Sequence, residues 1–231
     1  MIIGSGLIAN AFGRAGAYFD DACLYAAGVS NSDCRDSLEF ERERLMLSSA
    51  LQQFSKARRF IYFGTCSVGD PSLADSMYVR HKMAMEDLVR SHSGYLIFRL
   101  PQVVGITRNP HTLLNFLHHK IAHAENFKLW MGAKRNVIDI ADVVAIAMDL
   151  LEVENCAKET IDIANTKNFF VREIVEVLEN ILGLDAVYDR VEKGASYEID
   201  VSRIGNSIER CNVSFDSAYL QRVCEKYYSK S

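Results

Sequence analysis

The sequence predicts an α/β fold built on a mainly parallel sheet covered on both faces. Three observations carry that expectation. Short apolar runs recur at residues 1–3, 22–27 and 60–63, each the length of a buried strand. Segments with helical spacing of their apolar residues separate and follow these runs. A strand–helix–strand alternation of this kind implies parallel strands joined by crossover helices.

Residues 1–3 read as the first strand, and GSGLIANAFGRAG follows. A strand, then Gly4-x-Gly6-x-x-Ala9, then a helix is a dinucleotide-binding pattern: the glycines permit a tight turn and let a pyrophosphate approach the helix N-terminus. An ordinary strand–turn–helix would use glycines in the same places. The next strand-like run is ACLYAAG, ending at Ala26, Ala27 and Gly28. A helix is expected over 37–56; its FERERLML stretch reads as a solvated face beside a buried one. FIYFGT is rich in β-branched and aromatic residues, stops at Gly64 and leaves Thr65 at the strand end.

Composition narrows the class. A chain of 231 residues with 49% hydrophobic content holds one large domain, or one and a half, around a sizeable core. A net charge of −4 gives no global nucleic-acid footprint. The six cysteines form no C-x-x-C pair, which argues against a zinc site or a disulfide framework and for a reducing compartment. No apolar run approaches the roughly 20 residues of a membrane span. Met1 leads straight into a strand, so no signal peptide is expected, and a cytoplasmic location without a membrane partner follows. No repeat or low-complexity linker is visible.

Tyr78 and Lys82 stand at i and i+4 of YVRHKMAMEDLVRSH and so share one helix face. A free tyrosine, with a pKa of about 10, is a poor acid or base at neutral pH, and a neighbouring ammonium lowers that value. With the Thr65 hydroxyl, the trio can move a proton to or from a carbinol or carbonyl oxygen. Tyr-x-x-x-Lys also occurs by chance on solvated helices, so the rest of the chain has to support it. His119 and His123 share i,i+4 spacing, but no H-E-x-x-H or third ligand stands beside them, so no metal site is expected.

Taken together, these segments resemble the extended short-chain dehydrogenase/reductase family, in particular its NAD(P)-dependent epimerases, dehydratases and reductases of nucleotide-activated sugars. The likeness covers nearly the whole length through GSGLIANAF, LYAAG, RRFIYFGTCSV, YVRHK, YLIFRLPQVVG, LWMGAKRNVIDIADVV and ETIDIANTKNFFVREIVEVLENILG. It implies a Rossmann-type doubly wound sheet, shortened here, with a small C-terminal substrate-binding region. The cofactor part would use residues 1–100 and 136–165, the substrate part 101–135 and 166–231. It implies NAD or NADP held by Gly4, Gly6, Leu7 and Ile8 at the pyrophosphate, by Ala26, Ala27 and Gly28 at the nicotinamide ribose, and by Pro101 and Val103 at the carboxamide. Tyr78 becomes the acid/base, Lys82 the residue that lowers its pKa and holds the ribose, and Thr65 the group that orients the substrate oxygen. Ser67 and His111 fall where one reductase type carries a second acid/base pair. Arg135 falls where the family grips the substrate diphosphate, and Trp130 near a nucleotide base. The 4,6-dehydratase subgroup has Asp-Glu where this chain has Cys66-Ser67, so dehydration is not expected. A homodimer through the Tyr78 helix and the helix before the catalytic strand is expected.

Two departures bear on function. Only 22 residues separate Gly4 from Ala26, where the family usually has two more strand–helix pairs. Either residues 22–27 are the later alanine-rich strand and the adenosine-side strands are missing, or they are an ordinary second strand with Asp33 as the ribose acid. The first is favoured, because LYAAG resembles the later strand better; it puts the first strand at or near a sheet edge. Arg14 is open between a phosphate contact and a surface residue. The spacing from Thr65 to Tyr78 is also short, though still feasible for the trio. The expected activity is a reductase or epimerase of a nucleotide sugar, serving surface polysaccharide. The alternatives are a cofactor-binding regulator or scaffold without turnover, and an enzyme whose pocket a partner chain completes.

Overall fold

The computed structural model describes residues 1–16 and 21–229. In chain order the main elements are β1 (Ile2–Ile3), α1 (Leu7–Arg14), β2 (Ala22–Tyr25), α2 (Ser37–Gln53), β3 (Arg59–Thr65), α3 (Met77–Arg90), β4 (Tyr95–Leu100), β5 (Gln102–Val104) and α4 (Leu113–Ala122). They continue with β6 (Phe127–Trp130), β7 (Lys134–Asp139), α5 (Ile140–Glu152), β8 (Glu159–Asp162), β9 (Asn168–Phe170), α6 (Val171–Leu182), β10 (Tyr188–Val191), α7 (Gly205–Arg210) and α8 (Tyr219–Tyr228).

Strands β1, β2, β3, β4 and β8 form one sheet in that order, and every pairing is parallel. Side chains alternate between its faces. Leu24, Ile61, Phe63, Leu96 and Phe98 enter one core with Phe12 of α1 and Val143 and Ala147 of α5. Cys23, Tyr25, Phe60, Tyr62 and Ile97 enter the other with Leu47 of α2 and Met85 and Val89 of α3. Burial on both sides explains why these strands read as continuous apolar runs rather than as alternating ones.

The strand order decides between the two readings of residues 22–27. β2 lies between β1 and β3, and β1 is the sheet edge. In a doubly wound sheet an ordinary second strand lies on the far side of the first. The run over 22–27 is therefore the later strand, and the reading with Asp33 as ribose acid is overturned. The strand itself ends at Tyr25, and the helix expected over 37–56 ends at Gln53. The edge strand is only two residues long, which limits the backbone it offers for stray pairing.

The remaining strands form smaller sheets, β5-β7-β9 and β10-β6. The C-terminal helix docks through Asp139 at the end of β7. Its carboxylate caps α5 through the Ala141 amide and accepts from Lys226 at 2.7 Å and from the Tyr227 hydroxyl at 2.7 Å. Leu178 of α6 and Val223 of α8 join the same core as the strands.

The turn from β1 into α1 depends on Gly4, whose φ is +131°. A Cβ there would lie 2.4 Å from the Ala26 carbonyl oxygen. Gly4→Ala is expected to lower stability by about 1–3 kcal/mol from backbone strain alone, more with the clash, measurable by denaturant unfolding. An unchanged midpoint would mean the turn relaxes without loss.

Candidate active site

A cavity of about 590 Å³ opens over the C-terminal ends of β1, β2, β3 and β4. The turn at Gly4, Gly6, Leu7 and Ile8 forms one wall, and the exit of β2 at Ala26, Ala27 and Gly28 another. Thr65 and Ser67 come from the end of β3, Tyr78 and Lys82 from α3, and Pro101 and Val103 from the exit of β4. His111 reaches the wall from the turn before α4. All the cofactor-side and proton-transfer residues expected from the sequence thus line one space.

The N-terminus of α1 faces that space. Gly6 is its N-cap, no side chain caps it, and a Cβ on Gly6 would meet nothing within 4 Å. Open room against uncapped first-turn amides is a cradle for a phosphate. Arg14 lies at the other end of the helix, bonded to the Asn10 carbonyl, and is not on the cavity wall.

Tyr78 is buried and hydrogen-bonds the Thr65 side chain. Thr65 Oγ1 also accepts from the Ser67 amide at 3.1 Å, which fixes the short turn after β3. Lys82 Nζ lies 6.0 Å from the centre of the Tyr78 ring, so the two side chains do share a face. The expected effect of that lysine is corrected, however. Burial, and then the charge of Glu43, push the Tyr78 hydroxyl well above the ordinary tyrosine value, while the Thr65 hydrogen bond works weakly the other way. The ammonium of Lys82 is matched by Glu43 rather than directed at the phenol.

Glu43, read from the sequence as part of a solvated face, is fully buried on α2. Its Oε1 accepts from the Tyr62 hydroxyl at 2.9 Å and from Lys82 Nζ at 3.0 Å; its Oε2 accepts from the Val29 amide at 2.7 Å and from His81 Nε2 at 2.9 Å. Burial alone would raise the carboxyl, but His81, Lys82 and the Val29 amide together hold it down at about 2. Gly28 makes room for this pair: a Cβ there would lie 2.6 Å from both Glu43 Oε1 and Lys82 Nζ. One turn further along α3, the buried Glu86 takes a two-pronged bond from Arg99 of β4 at 2.9 and 2.7 Å. The helix bearing Tyr78 and Lys82 is therefore anchored to α2 at one point and to β4 at another.

Some expected residues lie off the cavity wall. Trp130 is exposed, because inward Phe127 and Leu129 alternate with outward Lys128 and Trp130 along β6. Arg135 bonds the Lys134 carbonyl and sits close enough to Tyr197 to favour its ionised form. Tyr197, which sequence reasoning missed, hydrogen-bonds the Ser67 side chain, and burial pushes its hydroxyl up. It lies in the irregular stretch before α7, where no periodicity marks it. The His119 and His123 rings stack 4.2 Å apart on the surface. Among the described residues no group of three or more His, Cys, Asp or Glu converges to hold a metal ion.

No protein-family profile matches this sequence, and no curated protein matches it. Solved structures do match in fold. UDP-glucuronic acid 4-epimerase from Bacillus cereus, in complex with UDP-glucuronic acid and NAD, superimposes with a TM-score of 0.70 at 19% identity over 90% of this chain and 74% of that one. UDP-glucose 4-epimerase from Thermus thermophilus, in complex with NAD, gives 0.69 at 14% identity over 92% and 79%. RMD from Pseudomonas aeruginosa, complexed with NADPH, gives 0.65 at 17% identity over 81% and 74%. At these identities the likeness is one of fold: the parallel sheet covered by helices is shared with these solved structures.

The pair at the heart of the site has a measurable signature. Glu43→Gln leaves Lys82 buried without its anion and is expected to cost about 3–5 kcal/mol in denaturant unfolding. The folded carboxyl lies below its ordinary 4.5, so the unfolded chain takes up the proton first. Its contribution is whole above about 4.5 and disappears as pH falls toward about 2. The stability of the wild type should fall through that window, and more steeply than that of Glu43→Gln. Parallel profiles would show that Glu43 is not the linked group.

Proposed function

We propose that a chain with this fold acts as a nicotinamide-dinucleotide-dependent reductase or epimerase of a nucleotide-activated sugar. One observation carries the reading: Thr65, Tyr78 and Lys82 line the same cavity as the glycine turn and the open N-terminus of α1. The residues fit the cofactor. Gly4 and Gly6 leave the approach to α1 free of side chains, and the exits of β2 and β4 bound the other end of the space. The nicotinamide, when bound, would supply the hydride chemistry.

The chain's own groups handle the proton. Burial and Glu43 keep Tyr78 protonated at neutral pH, so it is poised as a general acid toward a carbonyl oxygen. The Thr65 hydroxyl, bonded to Tyr78, would hold the same oxygen. Lys82 would meet the cofactor ribose while keeping its ion pair with Glu43. Ser67 and His111, on the same wall, would serve as a second acid/base pair. Arg135, beside Tyr197, would meet the substrate diphosphate, and the exposed Trp130 would meet the base. One neighbour was solved with UDP-glucuronic acid and NAD and another with UDP-glucose and NAD, which supports a nucleotide sugar as the substrate class. Polysaccharide synthesis in the cytoplasm is the setting this implies.

A second reading, a cofactor-binding regulator without turnover, draws support from the edge position of β1, which removes the strands that would flank the adenosine. Turnover distinguishes the two. Tyr78→Phe is expected to retain fold and cofactor binding, and to lose about 10²–10⁴-fold in rate on whichever nucleotide sugar of a panel is turned over. Activity within a few-fold of wild type would exclude Tyr78 from the chemistry.

The assembly proposed is a homodimer. Leu38 and Leu45 of α2 and Met77 and Met83 of α3 are exposed large apolar side chains on the two helices expected to pair. Light scattering at micromolar concentration should give twice the chain mass, and Leu45→Glu with Met83→Glu should give one. A monomeric wild type would remove the claim.

A further inference from the structure

We infer that the cavity selects the nicotinamide dinucleotide carrying a phosphate on its adenosine ribose, and that Arg42 holds that phosphate. The inference rests on the cofactor reading above and extends it to a choice that the glycine turn leaves open.

The charge of the lining is one-sided. Among the described residues that line the cavity, none is Asp or Glu, whereas Arg42 and Lys82 are both there. Lys82 is neutralised by Glu43 at 3.0 Å, which leaves Arg42 as the cation available to a ligand. An acidic side chain discriminates against a ribose phosphate by repulsion and by bonding the free hydroxyls, and an arginine does the reverse. Among the described residues no strand flanks β1 on its outer side to supply the acid. Asp33 does not line the cavity, and Asp36 is occupied in capping α2 through the Leu38 amide at 2.8 Å.

Arg42 is also free to turn inward. Its ion pair is with Glu39, three residues earlier at 2.6 Å, and both side chains are about half exposed. Such exposed pairs contribute little and yield readily to a doubly charged phosphate. Ser30 and Ser32 line the cavity with it and add hydroxyl donors. Met46, four residues on and on the same helix face, gives the rim an apolar surface on which an adenine can rest.

The test is titration of the full chain with NADPH and with NADH, followed by the fluorescence of the reduced nicotinamide. NADPH is expected to bind about 10–100-fold more tightly, as one charge-assisted contact provides. Arg42→Gln should bring NADPH down to the NADH level, and Arg42→Lys should fall between, with far-UV circular dichroism unchanged in both. Equal affinities in the wild type, tighter NADH, or a preference that survives Arg42→Gln would overturn the assignment while leaving the cofactor reading intact. Binding of neither dinucleotide would overturn both.

Discussion

One buried carboxylate organises the site. Glu43 has no exposed surface, and its oxygens accept from an amide, a phenol, an imidazole and an ammonium drawn from the β2 exit, β3 and α3. An unpaired charge in that position would cost several kcal/mol, whereas an exposed pair such as Arg42–Glu39 contributes little. The buried constraint wins, and the neighbouring geometry follows from it. Gly28 carries no side chain because the pair occupies its Cβ position. Lys82 points toward α2 rather than into solvent, and Tyr78 keeps its proton because it is buried and because the charge of Glu43 stands nearby.

The Glu43–Lys82 pair sits against Tyr62 of β3, inside the sheet rather than at its β1 edge. Tyr78 packs with Val29 beyond β2, Phe40 of α2 and Val68 and Leu73 beyond β3, over the inner part of the sheet. Among the described residues no strand lies beyond β1. On the cofactor reading proposed above, support is reduced at the adenosine end of a dinucleotide and kept at the end near Tyr78. Arg42 and Met46 of α2 stand on the cavity wall beside that end.

The C-terminal part is tied to β7, to α5 and to the turn after β3 by a few polar contacts. Asp139 gathers Lys226, Tyr227 and the first turn of α5, and Tyr219 accepts from the Asp139 amide at 2.8 Å while donating to Asp142 at 2.6 Å. Tyr197 closes the connection at Ser67, two residues from Thr65. A substrate lying across this region would touch residues from both ends of the chain.

Local spacing was enough to read much of this. The apolar runs, the glycine turn and the shared face of Tyr78 and Lys82 depend on neighbours within a few residues, so the sequence by itself determined the parallel α/β class, the turn into α1 and the Thr65–Tyr78–Lys82 trio. Glu43 was not legible, because FERERLML has the charge density of a solvated helix and its partner Lys82 lies 39 residues away. Tyr197 sits in irregular chain with no period to betray it. The placement of β2 between β1 and β3, the burial of Glu43 and the raised Tyr78 hydroxyl were decided only by the tertiary structure. Strand order and the cost of a buried charge depend on which distant segments pack together, and no short window of sequence contains both partners.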